Sequence, residues 1–181
     1  MTTADIVRDL CEYPSETEWL EFKENLSEDN EIGEYISALS NAAAMNGRRE
    51  SYLVWGVENE GHRVVGTKFD FNKDLRTHEP FQNYLARQLS PSISFRFEEG
   101  LINGVRVVLL HIPAAVKVPT SWQGKRFGRI GSSKINLAKY PERESDLWNA
   151  LRYGAPTIVN TASPYQNLTF KNSFCTMQQR E

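Results

Sequence analysis

Cysteine is scarce in this chain, and that scarcity narrows the chemistry first. Only Cys11 and Cys175 occur in 181 residues, at opposite ends of the sequence. Neither belongs to a Cys-x-x-Cys pair, so no zinc cluster or dithiol redox site is indicated, and a disulfide between them is not expected. The three histidines, His62, His78 and His111, are scattered without metal-ligand spacing. There is no Gly-x-Ser-x-Gly elbow and no phosphate-cradling Walker loop. Gly56 to Gly61 follows an apolar run, but no helical pattern comes after it, so it reads as a turn rather than a dinucleotide fingerprint. No apolar run approaches the roughly 20 residues of a membrane span. Met1 to Leu10 carries Asp5, Arg8 and Asp9 and lacks the apolar core of a signal peptide. A cytoplasmic protein without a membrane partner is expected.

Acid is the next absence. Residues 101–141 hold seven bases, Arg106, Lys117, Lys125, Arg126, Arg129, Lys134 and Lys139, and no Asp or Glu. Residues 1–60 hold 14 acids against 4 bases, so the net charge of −2 conceals two opposite poles. The basic run reads as a surface for phosphates, or as the internal counterweight of the acidic third. Apolar residues at 40% and charged residues at 24% are ordinary for a globular domain of this length.

Periodicity predicts an N-terminal helix over 4–13, a strand over 18–23, and a helix over 31–44. Residues 51–57 read as a buried central strand, with a return over 62–66. A helix over 78–89 is followed by a hairpin across Asn103-Gly104. Two short strands flank Gln123-Gly124, and Pro141 opens a last helix. In the first strand, Leu20 and Phe22 share one face, and Trp19, Glu21 and Lys23 share the other. Residues 1–14 are assigned to the N-terminal helix, 15–153 to the domain and 154–181 to a polar tail without periodicity. The fold class is α+β, a mostly antiparallel sheet with about three helices.

Carboxylates are the remaining candidates for chemistry. Glu16, Glu18, Glu21 and Glu58 lie at strand ends or turns. Clustered carboxylates repel one another unless a cation neutralises them, and such clusters suit magnesium or manganese. They equally suit a soluble strand end. Trp122 and Phe127 interleave with Lys117, Lys125, Arg126 and Arg129, as on surfaces that stack bases and contact phosphates, although Phe127 fits the core better. Trp19, Trp55 and Trp148 sit in apolar patterns and are assigned to the core. Arg129 beside Gly131-Ser132-Ser133 can hold a phosphate or pair with the acids at 16–21.

Several of these segments occur in a characteristic order. Glu16, then Glu21-Phe22-Lys23, then Ser37-Ala38-Leu39-Ser40-Asn41, then Leu53 to Val57 and Val65-Gly66 together resemble the Schlafen AlbA-like domain. Pro119, Arg129 to Ser133, and Pro141 to Glu144 with Leu147-Trp148 extend the resemblance to about residues 15–150. It implies an α+β nucleic-acid-binding domain, in some members a metal-dependent endoribonuclease acting on structured RNA such as transfer RNA. By motif, Glu16, Glu21 and Glu58 would then hold Mg2+ or Mn2+, with Lys23 and Arg129 facing the scissile phosphate. Glu58 stands where the family has Asp, and the family's tight Asn-x-x-Gly-Gly is expanded between Asn41 and Gly47. Lys117, Lys125, Arg126 and Lys134 would position the backbone, with Trp122 and Ser132 beside them. The active animal nuclease has paired lobes, so a homodimer is an expectation for this single domain. The alternative is a non-catalytic DNA- or RNA-binding or regulatory module, part of a longer transcriptional regulator.

Overall fold

A computed structural model describes residues 2–73, 75 and 79–155. His78, Cys175 and the polar tail from residue 156 onward lie outside the described residues.

Helix α1, Thr3–Cys11, starts where Thr2 and Asp5 form a reciprocal capping box. The first sheet has the order β1-β2-β5-β4: β1 is Leu20–Lys23, β2 Glu50–Trp55, β4 Arg96–Ile102 and β5 Val105–Pro113. The β4–β5 hairpin turns on Asn103 and Gly104, both at positive φ, the geometry a two-residue turn requires. The second sheet has the order β3-β6-β7-β8: β3 is Leu89–Ser90, β6 Ser121–Trp122, β7 Lys125–Ile130 and β8 Ser133–Asn136. Helix α2, Asp29–Met45, packs against both sheets. Helix α3, Phe81–Gln88, leads into β3. A 3-10 turn, Leu137–Lys139, leads into α4, Pro141–Tyr153.

Alternation sorts the core into two layers. Val54, Val107 and Leu109 meet Leu20, Phe22, Val7 and Leu10 beneath α1. Leu53, Trp55, Val108, Leu110 and Ile112 point the other way, onto Ile32, Ile36 and Leu39 of α2. The central strands β2 and β5 are therefore apolar on both faces, and α1 closes one side of the sheet.

The α+β class holds; among the described residues there are four α-helices rather than about three, and two sheets rather than one. Pairing is mostly antiparallel, as expected, with β1 and β2 as the parallel pair among the described strands, Leu20 beside Tyr52 and Lys23 beside Trp55. One expectation is corrected: residues 62–66 form no returning strand, only a bridge between Val57 and Val64. With β1 on one edge of β2 and β5 on the other, no edge is left for a return. Gly56 and Gly66, both at positive φ, instead tie the loop closed: the amides of Val65 and Gly66 donate to the Gly56 carbonyl.

The Ser37-to-Asn41 motif has a structural explanation. Asn41 Nδ2 donates to the carbonyls of Thr120 and Phe127 at 2.8 and 2.7 Å, and its Oδ1 accepts from the Thr120 amide at 2.8 Å. Ser37 Oγ donates to the Thr120 carbonyl and accepts from the Phe127 amide. Two buried side chains of α2 thus supply the hydrogen bonds that a longer β6–β7 ladder would have made, and fasten the second sheet to the helix.

Candidate functional site

The strand alternation that buries Leu20 and Phe22 under α1 turns Glu21 and Lys23 toward α2 and the second sheet. Glu21 is 2% exposed and Arg129, from β7, is 1% exposed. Arg129 Nη1 donates to Glu21 Oε2 at 2.5 Å, and Lys23 Nζ sits 2.6 Å from Glu21 Oε1. Arg129 Nη2 donates to the Thr17 carbonyl, while its Nε has no partner among the described residues. Tyr35 of α2 forms the floor of the cluster. The Lys134, Lys23 and Arg129 cations lie 4.4, 5.1 and 5.9 Å from its ring centre. Lys134 in turn pairs with Glu34 at 2.7 Å.

Electrostatics follows from this packing. Burial, then the Glu21 charge, pushes the Tyr35 phenol up to about 12. Burial pulls the Lys23 ammonium down, but the hydrogen bond and charge of Glu21 outweigh it and leave Lys23 above its usual value. Cations surround Glu21, and both of its oxygens are engaged.

Glu16 has a different task. Its Oε1 accepts the Phe22 amide at 2.8 Å. β1 is an edge strand, so this amide would otherwise be open to another strand, and the carboxylate caps it. Burial, followed by the nearby Glu21 charge, raises the Glu16 carboxyl above its usual range despite that hydrogen bond and the Lys23 and Arg129 charges.

The third expected ligand does not join them. Glu58 is clamped by Arg63, whose Nε and Nη2 donate to its two oxygens at 2.8 Å each. The turn that carries Glu58 does reach Glu16, but it presents Asn59, Glu60, Gly61 and His62, which with Ser132 line an open cavity of about 440 Å3. Among the described residues, no group of three or more His, Cys, Asp or Glu side chains could hold a metal ion. Expected as a Mg2+ or Mn2+ site, Glu16, Glu21 and Glu58 do not fit one: the donor oxygens of Glu21 and Glu58 are spent on cations, and one oxygen of Glu16 is spent on an edge amide.

The expected phosphate contacts divide into two groups. Arg129 is buried in its pair with Glu21, and Lys134 is committed to Glu34 and Tyr35. Trp122 is 2% exposed and lies edge-on to Tyr84 at 5.8 Å, so it is core and not a stacking platform. Lys117 and Lys125 are exposed and make no ion pair among the described residues. Arg126 is exposed and pairs with Glu144. Ser132 is exposed beside Glu16 and His62. Glu18 joins elements together, accepting from Arg143 of α4 and from Asn46 just beyond α2.

Trp148, expected in the core, is only half-buried, and Arg126 and Arg152 each lie 5.8 Å from its ring. A helical wheel of α4 contains this signal. Leu147 and Ala150 form the buried stripe, and Trp148 sits one step off it, between Ser145 and Arg152.

The chain's course is similar to that of two solved structures. A crystal structure of the DIP2311 protein from Corynebacterium diphtheriae aligns with a TM-score of 0.48 and 16% identity, covering 77% of this chain and 24% of that one. This chain therefore spans about a quarter of that protein's length. The solution structure of the N-terminal domain of a RecG-related protein from Nitrosomonas europaea aligns with a TM-score of 0.45 and 22% identity, covering 74% of this chain and 91% of that one. No curated protein matches the sequence. The family match covers the whole acid-and-base cluster, from Glu16 through Lys134 to the 3-10 turn: over residues 16–138 the chain matches, and belongs to, the family described as Schlafen, AlbA_2.

Proposed function

We propose that this domain binds nucleic acid through the exposed cations of its acid-free segment. The observation that carries this reading is the state of Lys117, Lys125 and Lys139. All three are exposed and make no ion pair with any described residue, whereas Arg129 and Lys134 of the same segment are consumed internally. A stretch of 41 residues without a carboxylate leaves those three charges available to phosphates. Membership of the Schlafen, AlbA_2 family supports the same reading.

The test is binding of short RNA and DNA strands to the full chain, followed by fluorescence anisotropy across a salt series. Affinity should fall steeply with salt. Changing Lys117, Lys125 and Lys139 together to Ala should flatten the slope by about one unit for each phosphate no longer neutralised. No binding at low salt would overturn the proposal.

Metal-dependent endoribonuclease activity is the finer form of this reading, and it forms a separate arm. Transfer RNA is incubated with the wild type and with Glu21→Gln in Mg2+ or Mn2+. Cleavage by the wild type that Glu21→Gln abolishes, with its fold intact, would establish catalysis. Salt-sensitive binding without cleavage would identify a non-catalytic module.

A further inference from the structure

Trp148 stands apart from the other tryptophans. Trp19, Trp55 and Trp122 are 8%, 0% and 2% exposed; Trp55 and Trp122 are enclosed by apolar and aromatic neighbours, and the Arg48 guanidinium covers the Trp19 ring at 3.6 Å. Trp148 is half-buried on the outer side of α4, whose inner stripe, Leu147 and Ala150, is the part that packs. Around it, Pro141, Glu144, Ser145, Asn149 and Arg152 line an open groove of about 410 Å3. The spacing 141, 145, 148, 152 places them on one face of a helix.

The surroundings of the ring are cationic. Arg126 and Arg152 approach it from β7 and from the next turn of α4, each at 5.8 Å. Arg126 is held there by Glu144, which fixes its guanidinium beside the indole. Lys125 precedes Arg126. The β7–β8 register pairs Phe127 with Asn136, so the 3-10 turn carrying Lys139 continues alongside Lys125 and Arg126. Lys125, Lys139 and Arg152 are exposed and unpaired among the described residues.

We propose that the outer face of α4 is a stacking site for one unpaired nucleobase of a single-stranded nucleic acid, with Trp148 as the platform. The inference rests on the nucleic-acid reading above and specifies its ligand. Indole and guanidinium planes stack bases of any sequence. Ser145 and Asn149 offer hydrogen-bonding groups to a base edge, and Lys125 and Lys139 lie where the flanking phosphates would run. A base inside a duplex presents no free face, so the site discriminates by strandedness rather than by sequence.

The experiment uses the full chain with a single-stranded oligouridylate and a duplex of the same length, read by anisotropy and by intrinsic fluorescence. The other three tryptophans are enclosed, so quenching on binding reports Trp148. The single strand should quench the emission and bind more tightly than the duplex. Trp148→Ala should weaken single-strand binding by roughly 5- to 100-fold and leave duplex binding unchanged. Trp148→Phe should retain part of the affinity, which guards against a folding defect in the alanine variant. Equal binding of both ligands, with no effect of Trp148→Ala, would overturn the stacking site yet leave nucleic-acid binding intact. Absence of any binding by the wild type would overturn both. If Trp148→Ala instead converts a dimer into a monomer without nucleic acid present, the face is a self-interface and the proposal fails.

Discussion

Arg129 and Glu21 form a buried ion pair that joins the two sheets, with Nη1 and Oε2 2.5 Å apart and neither residue more than 2% exposed. Glu21 belongs to an edge strand of the first sheet and Arg129 to the second. The pair therefore ties the two sheets together across the domain.

The two halves of this pair are not equivalent, and stability should reveal it. If Arg129 is replaced by Met, Glu21 keeps Lys23 at 2.6 Å. If Glu21 is replaced by Gln, an amide oxygen can still accept from Arg129, but the buried guanidinium loses the carboxylate paired with it. Breaking a buried pair typically costs about 3–5 kcal/mol, because the surviving charge is uncompensated. Urea unfolding should therefore place Glu21→Gln at about that cost and Arg129→Met below it. The reverse order would mean that Lys23 alone does not neutralise Glu21 and that Arg129 is its essential partner.

Much of this cluster is legible in the sequence. Alternation puts Glu21 and Lys23 on the face opposite Leu20 and Phe22, and a pairing of Arg129 with the acids at 16–21 is one of its two readings. What alternation does not encode is which strands become neighbours. The parallel β1–β2 pairing, the missing return strand and the capture of Glu58 by Arg63 all follow from competition for the edges of β2. Trp122 is misplaced by its sequence for a similar reason: basic residues flank it along the chain, but its ring packs against Gly33 of α2, 89 positions away.

Glu16 should make stability depend on pH in the sense opposite to most carboxylates. Its folded pKa is raised, chiefly by burial, so folding favours the protonated form. Its favourable contribution is complete below the ordinary glutamate range and is lost as pH rises through the folded value. Gln at this position keeps an oxygen for the Phe22 amide but does not ionise. The stability of Glu16→Gln relative to wild type should therefore increase as pH rises from about 4 toward 7. A difference that stays flat over that interval, in urea titrations at several pH values, would show that the Glu16 pKa is the same in the folded and unfolded chains.

Asn41 should prove structural rather than catalytic. Its amide makes three bonds of 2.7–2.8 Å to Thr120 and Phe127, all of them buried. Asn41→Ala leaves the Thr120 amide and the Phe127 carbonyl without those partners, and each orphaned buried group costs about 1–3 kcal/mol. A total loss of roughly 2–5 kcal/mol is expected, with accelerated hydrogen exchange at the Thr120 amide as its local signature. Unchanged exchange at that amide would remove the argument that α2 fastens the second sheet.

Gly33 gives the most direct test of how tightly α2 meets that sheet. In the middle of a helix, Gly→Ala ordinarily stabilises by about 0.8–1 kcal/mol. Here a Cβ on Gly33 would lie 2.2 Å from Trp122, whose ring is buried beside Tyr84. An approach that short requires the indole to move, and overpacking of this kind costs about 1–3 kcal/mol. The clash outweighs the helix propensity, so Gly33→Ala should lower stability. Its thermal midpoint should fall, and Trp122→Leu, which removes the obstructing ring, should restore part of the propensity gain when combined with it. A stabilised Gly33→Ala in the wild-type background would mean that the ring yields without cost, and that Trp122 is less firmly enclosed than its 2% exposure indicates.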